Sequence, residues 1–401
     1  MFRKFPKAVV FLGLASFFND VASDAIYPLL PLFLTQTVGA SLVFVGLYEG
    51  IAESAASLTK VFVGYWSDRV GRRGPFVLAG YFLSNLVRPL TGLVTSPWQA
   101  LAVRFTDRLG KGTRTAPRDA WLGTLAAQGE RGRIFGFHRA MDNAGATLGP
   151  LIAMAFLYFF PGKLRMLFLL TMIPGFLSLY YVLRARGENT GEQRSRPASS
   201  ETLADGAVPK FSDIFRMPAA FRRYLFILFL FTVANSSDAF LILKLRGAGV
   251  PMYWIPFLWT ALHIVKVASA TPGGVFSDRF GRKAAIILGW LIYAAAYTTI
   301  GLSSSLTVTV CAFILYGLFA GFTEGPERAM VADLVSDERQ RGTAFGLYNL
   351  AIGIGALPAS VIAGFLWERM GPSAPFLFGA EVAGASVLLL IFLRLERSDL
   401  L

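Results

Sequence analysis

The chain has 401 residues, of which 54% are hydrophobic and only 16% charged, against about 25% charged in soluble domains. That balance excludes a soluble enzyme, a disordered chain and a disulfide scaffold. One cysteine, Cys311, rules out an internal disulfide, and two histidines leave little material for a zinc site, so no metal and no cofactor are expected. A net charge of +13 on so apolar a chain points to loops retained in the cytoplasm, not to nucleic-acid binding. The opening MFRKFPK is basic, but the apolar run behind it is long enough to span and shows no small-residue cleavage site, so no cleavable signal peptide is expected.

Apolar stretches of about 20 residues mark membrane spans. Twelve are expected, at 8–34, 42–64, 75–95, 98–120, 133–158, 164–184, 221–243, 252–275, 284–303, 306–329, 343–367 and 373–394. The first carries Asn19, Asp20, Ser23, Asp24 and Tyr27 on one face about 140° wide at helical spacing. In the second, Glu49 and Glu53 stand one turn apart, with Lys60 on the same face. The fourth is too charged for hydropathy to find, yet the third and fifth need a crossing between them. It reads RFTDRLGKGTRTAPRDA. On a helical wheel Arg104, Arg108, Lys111, Arg114 and Arg118 share a stripe about 120° wide. Such a stripe should face a central cavity or paired acids. Gly110 and Gly112 would admit substrate or a neighbouring helix, and Pro117 would loosen the helix end.

The fifth span holds His138, Arg139, Asp142 and Asn143. Imidazole titrates nearest neutrality, so His138 is a candidate proton carrier; a packed histidine capping the basic cluster is the alternative. Residues 184–210 are polar and rich in Ser, Gly and Glu, as in a flexible linker. The expected organisation is a six-helix bundle over 1–184, a cytoplasmic linker over 185–220 and a second six-helix bundle over 221–401. The seventh span has Asn235 and Asp238, the eighth His263 and Lys266, the tenth Glu324, Glu327 and Arg328. An ionisable residue inside a span is a functional hypothesis by default; the plainer reading of each is an ion pair between helices.

With the N-terminus in the cytoplasm, Lys and Arg crowd the cytoplasmic segments, and external loops hold only Lys163, Arg165, Lys244, Arg246 and Arg369. This asymmetry predicts both termini inside. The chain also repeats itself. GYWSDRVGRR at 64–73 recurs as GGVFSDRFGRK at 273–283, and RGRIFGF at 131–137 as RGTAFGL at 341–347, each at an offset of 210. Two halves with matching motifs indicate a duplicated unit, with substrate held near the midplane at the repeat interface.

GxxxDRxGRR after the second span, repeated after the eighth, resembles the signature loop of the major facilitator superfamily, and the similarity covers the whole chain. The resemblance implies an all-α membrane fold of twelve transmembrane helices in two pseudo-symmetric six-helix bundles, working as a monomer. It implies that Asp68, Arg69, Arg72 and Arg73, with Asp278, Arg279 and Arg282, form a cytoplasmic charge relay that latches one state. Arg118, Glu327 and Arg328 lie near the same face and are read with that latch or as structural pairs. Arg104 is similar to the family's fourth-span arginine linked to proton coupling, though Arg108 stands where the pattern has glycine. Gly145, Gly149 and Pro150 resemble the antiporter-associated motif; small residues also simply permit close helix packing.

The leading reading is a secondary active transporter working by alternating access on a small anionic solute, carboxylate- or phosphate-bearing, in the inner membrane. Arg104, Arg108, Lys111 and Arg114, with Asn19, Tyr27 and Asn235, would bind it, since guanidinium forks match those anions. Asp20, Asp24, Glu53, His138 and Asp142 would carry coupled protons. No GxxxxGK[ST] is present, so a gradient supplies the energy. Proton-driven efflux of cationic or amphipathic drugs is the alternative within transport. A non-transporting membrane sensor or scaffold is the alternative from another class. An enzyme is not expected, because no nucleophile, base and orienting group can be picked out together.

Overall fold

The computed structural model describes residues 5–125, 131–188, 214–215, 217–335 and 338–393. Among them every regular element is helical, in twelve rods. These are α1 (Lys7–Thr37), α2 (Leu42–Val70), α3 (Arg73–Leu93), α4 (Pro97–Leu125), α5 (Arg131–Phe159) and α6 (Leu164–Gly187). They continue as α7 (Ala219–Gly247), α8 (Ile255–Phe280), α9 (Arg282–Leu302), α10 (Leu306–Leu334), α11 (Glu338–Met370) and α12 (Ala374–Phe392). Eight of these are long and apolar enough to cross a membrane by length and composition; α2, α4, α5 and α8 are not among the eight. The highly charged fourth span is nevertheless a continuous helix of 29 residues, with Pro117 inside it.

Four rods depart from the expected uninterrupted spans: α3 closes in 3-10 turns at Arg88–Leu93, α6 is interrupted at Thr171, and α1 and α7 break more fully. In α1 the regular helix ends at Asp24, and the chain goes on through a 3-10 turn at Tyr27–Leu29 and a π turn at Phe33–Thr37. Pro28 and Pro31 lack the N–H that regular helix needs. Tyr27 opens the 3-10 turn, three residues beyond the end of the regular helix that carries Asn19, Asp20 and Asp24. In α7 the helix stops at Ala234 and restarts at Asp238, where Ser237 Oγ accepts from the Ala239 amide at 3.2 Å. Tyr293 Oη covers the freed Ala234 carbonyl at 2.9 Å, so the break leaves no orphan there.

The sequence repeat is also a backbone repeat. Gly71 and Gly281, which end the two matching loops, both have positive φ, 65° and 95°. Glycine enters that region without steric cost, and it lets each helix turn into the next within a residue or two.

The chain divides into two compact units: Met1–Phe33 with Ala55–Val208, and Leu34–Ser54 with Pro209–Leu401. The helix α2 is shared out because its two halves pack differently. Its first half lies against α11, where a Cβ on Gly50 would stand 2.7 Å from Leu357 Cα and Ser54 Oγ donates to the Gly353 carbonyl at 2.6 Å. Its second half lies against α4, where a Cβ on Gly112 would stand 2.6 Å from Thr59 Cβ. Gly110 does the same on α3, 2.9 Å from the Ser84 amide. These glycines of the fourth span thus admit neighbouring helices.

The first unit's core gathers Val9, Leu12, Val77, Tyr81, Trp121, Ile134 and Val182. The second unit's core is aromatic: Phe231 stacks on Trp290 at 4.3 Å and Tyr293 on Tyr297 at 4.0 Å. Both units turn large apolar side chains outward, among them Phe62, Trp66, Tyr158, Phe176, Phe226 and Phe392. A soluble monomer rarely shows so much; facing lipid, it needs no cover.

Candidate functional site

The polar interior of the first unit is built where α1, α3 and α4 meet. Arg88 stands in the 3-10 turns that end α3, one residue before Pro89. Its guanidinium donates to Asp107 Oδ1 at 3.0 Å, to Asn85 Oδ1 at 3.1 Å, and to the carbonyl and side-chain oxygens of Asn19 at 3.3 and 3.4 Å. Arg108 lies on the other side of the same carboxylate, its Nε 3.7 Å from Asp107 Oδ2. Arg114 donates to Ser84 Oγ at 2.8 Å, and Ser84 donates to the Asp107 carbonyl at 2.9 Å. Arg114 also covers the Tyr81 ring at 4.8 Å, and Arg104 covers Tyr27 at 5.2 Å. Arg88, Arg104, Arg108 and Arg114 are all buried, and so is Asp107. Buried charge on this scale persists only when paired or when a ligand supplies the counter-charge.

Of the residues expected from sequence, the fold brings Asn19, Arg108 and Arg114 into this cluster and sets Arg104 against Tyr27. Asp20 and Asp24 lie beside it, half-buried, with Asn19 Nδ2 donating to Asp20 Oδ1 at 2.9 Å. Lys111 is on the exposed side of α4. Arg118 stands apart, bonded to Asp119 Oδ1 at 3.0 Å and Ser16 Oγ at 3.1 Å. His138 Nδ1 lies 3.4 Å from Asp142 Oδ2, one turn on in α5. Glu53 is exposed and falls in the second unit, while Glu49 one turn earlier is buried. Sequence reasoning passed over Arg88 and gave Asp107 no role. The signal was present: an arginine in the apolar run SNLVRPLTGL is an intramembrane ion like the others.

In the second unit Asn235 caps the broken end of α7. Beyond it Asp238 accepts from Tyr316 Oη at 3.1 Å and stands 3.8 Å from Lys266 Nζ. Glu327 is buried in α10, where Trp290 Nε1 donates to its Oε1 and Tyr348 Oη to its Oε2, each at 3.2 Å. In the repeated loop Arg282 bonds Asp278, reaches Asp333 Oδ2 at 3.2 Å and Ser277 Oγ at 3.1 Å. Arg279 and Arg328 are exposed. In the first loop Arg73 donates to the Ala120 carbonyl at 2.8 Å, and Arg69 and Arg72 are exposed; the Asp68 side chain lies outside the described residues. No group of three or more His, Cys, Asp or Glu that could hold a metal occurs among the described residues.

The comparisons with known proteins place this architecture. The model of the Major Facilitator Superfamily matches residues 12–265 and 254–400. An uncharacterized MFS-type transporter of Methanocaldococcus jannaschii is 33% identical over 98% of this chain and 96% of its own. The multidrug resistance protein MdtH of Salmonella arizonae is 22% identical over 86% of this chain and 82% of its own. Among solved structures, a POT family transporter in complex with 5-aminolevulinic acid has a TM-score of 0.78 at 13% identity, covering 96% of both chains. A bacterial homologue of the human lysosomal transporter Spinster has a TM-score of 0.72 at 17% identity, covering 96% of this chain and 94% of its own. These likenesses run the length of the chain, and with its apolar helices they make it a multi-pass membrane protein. The chain belongs to the major facilitator superfamily, whose members are membrane transporters and not enzymes.

Proposed function

We propose that the protein moves a small anionic solute, carboxylate- or phosphate-bearing, by proton-coupled alternating access. The observation that carries this reading is the excess of buried guanidinium in the first unit. Among the described residues Arg88, Arg104, Arg108 and Arg114 are buried there with one equally buried carboxylate, Asp107, while Asp20 and Asp24 are half-buried, and Arg108 Nε makes no hydrogen bond. An anion arriving at Arg108 would supply the missing acceptor, and charge-assisted bonds to a guanidinium are the strong ones. Arg104, Lys111, Asn19 and Tyr27 complete the binding set of the first unit in this proposal; in the second unit Asn235 is a separate candidate. Asp20 and Asp24, beside the arginines, are the proposed proton carriers of the first unit, with His138, Asp142 and Glu53 as further candidates.

The proposal places both termini in the cytoplasm of a cell with this chain in its inner membrane, working as a monomer. The two matching loops then lie on the cytoplasmic side as gates, with Asp68, Arg69, Arg72 and Arg73 in one and Asp278, Arg279 and Arg282 in the other. Arg118 and Arg328 belong to the same face. The bonds from Arg282 to Asp278 and Asp333 support a latch that joins the ends of α8, α9 and α10.

A second reading, proton-driven efflux of cationic or amphipathic drugs, is favoured by the likeness to MdtH. In it the acidic side chains of α1 bind the drug and the arginines serve as their structural partners. Ligand-induced thermal stabilisation separates the two, because a ligand that binds only the native state raises its apparent stability. The panel is di- and tricarboxylates, organic phosphates and matched cationic drugs, on wild type and Arg108→Gln. Anions are expected to stabilise the wild type and to lose that effect in Arg108→Gln. Stabilisation by cations alone, unchanged by the substitution, overturns the anion reading.

A further inference from the structure

Glu327 is a buried carboxylate of the second unit. Among the described residues it enters no ion pair, and its two bonds come from neutral donors, the Trp290 indole and the Tyr348 hydroxyl. Trp290 is fully enclosed and stacked on Phe231, and Tyr348 is buried as well. Tyr224 of α7 and Tyr348 of α11 are the titratable groups facing Glu327 from the helices packed around it. On α10 itself Glu324 and Arg328 act on it from exposed positions. From α9 it meets Trp290, which does not titrate. A carboxylate taken out of water without a counter-charge costs several kcal/mol, and taking up a proton is the ordinary way such a group escapes that cost.

We propose that Glu327 is a proton-binding site of the second unit, taking up and releasing a proton at Oε2. The two donors decide the atom. An indole N–H can only donate, so Oε1 must go on accepting from Trp290 in both forms. A phenol can donate or accept. When a proton from water adds to Oε2, the new O–H donates to Tyr348 Oη, and the tyrosine hydroxyl turns its own hydrogen away. Trp290 anchors the carboxyl, and Tyr348 is the partner that reverses. The proposal rests on the transport reading only in calling this proton a coupled one; the binding stands on the geometry of this unit.

The test uses the purified full chain in lipid nanodiscs and needs no substrate. Between about pH 5 and pH 9, a range wide enough for a carboxyl displaced by burial, infrared difference spectra should show a carboxylic-acid C=O band that grows as pH falls. The part of it that belongs to Glu327 should be missing in Glu327→Gln, the neutral isostere that keeps the shape, so the band there should be smaller than in the wild type. Tryptophan emission should change over the same interval. The chain has 7 Trp, so Trp290→Phe identifies the responding ring by removing the change. Tyr348→Phe, which takes away the partner that reverses, should move the midpoint. A band and an emission change of wild-type size in Glu327→Gln would overturn the proposal, as would a wild type with neither. If no anion stabilises the wild type yet the Glu327 band is present, the transport reading fails and the proton site stands.

Discussion

Each unit buries a carboxylate in its polar interior, and the two are held in opposite ways. Asp107 is 5% exposed and Glu327 7%, so burial does not distinguish them. Partners do. Asp107 lies between Arg88 at 3.0 Å and Arg108 at 3.7 Å, while Glu327 accepts from an indole and a phenol. The first arrangement pairs a charge, because two guanidinium groups lie against the carboxylate and would themselves be stranded without it. The second holds its carboxyl by hydrogen bonds from two neutral donors, with no ion pair among the described residues. A duplicated unit has thus been put to two electrostatic uses on one helical frame. The difference lies in the partners, guanidinium in the first unit and neutral donors in the second.

The largest effect should come from removing Arg88. Arg88→Leu leaves Asp107 buried beside an arginine that makes no hydrogen bond to it, and losing one partner of a buried pair costs about 3–5 kcal/mol. The thermal midpoint of the purified protein should fall sharply. Arg88→Leu with Asp107→Leu should recover only part of the loss: replacing a buried pair by apolar groups is often neutral, but Arg108 is then left buried without its carboxylate. A double variant as unstable as the single one would show that Arg88 acts through Asn19 and Asn85 and not through the charge of Asp107.

Packing, unlike charge, should behave alike in the two units. A Cβ on Gly80 would stand 2.6 Å from the Gly110 carbonyl oxygen, and one on Gly317 2.8 Å from that of Leu262. Gly80→Ala and Gly317→Ala should each suffer an overpacking cost of about 1–3 kcal/mol, larger than the helix gain of about 0.5–1 kcal/mol from losing a glycine. Nothing lies within 4 Å of a Cβ at Gly274, so Gly274→Ala should show the gain alone. Midpoints moving in opposite directions would separate crowding from propensity.

Much of this frame is legible in the sequence, because lipid imposes it. Spans must be long and apolar, and the repeated loops need glycine at one turn, which is why Gly71 and Gly281 lie at the repeat offset. The fourth helix shows where hydropathy fails: Arg104, Asp107, Arg108 and Arg114 make it too polar to find as a span, yet all four are buried. The breaks in α1 and α7 are half legible. Pro28 and Pro31 announce the first, but the second depends on Tyr293 reaching Ala234 from another helix, which no local pattern records. The same limit hid the site partners. A helical wheel groups the arginines of α4, but it cannot show that Arg88 arrives from α3, or that Glu327 meets Trp290 from α9 and Tyr348 from α11. Partners across helices are set by packing, and one sequence gives no sign of it.

If dipoles alone hold Glu327, removing its charge should cost little. Glu327→Gln keeps an acceptor for Trp290 and offers its amide to Tyr348, so its midpoint should stay within about 1 kcal/mol of wild type, the net worth of one neutral hydrogen bond. Asp107→Asn strands two arginines and should fall well below it. Equal losses would erase the distinction between the two carboxylates.

The smallest effect is expected at the repeated loop, and salt is what makes it informative. Arg282 is paired with Asp278 and Asp333, but their side chains are 30%, 69% and 40% exposed. Exposed pairs contribute about 0–1 kcal/mol, so Arg282→Gln should lower the midpoint only slightly. Raising ionic strength from about 0.1 M to about 1 M shortens the screening length from about 10 Å to about 3 Å. That should bring Arg282→Gln and wild type together while leaving the deficit of Arg88→Leu nearly intact, because salt does not reach a pair 5% and 7% exposed. A deficit at Arg282 that survives high salt would mean that the loop is held by the geometry of its bonds to Ser277 and Asp333, a packed joint between helix ends and not an electrostatic latch.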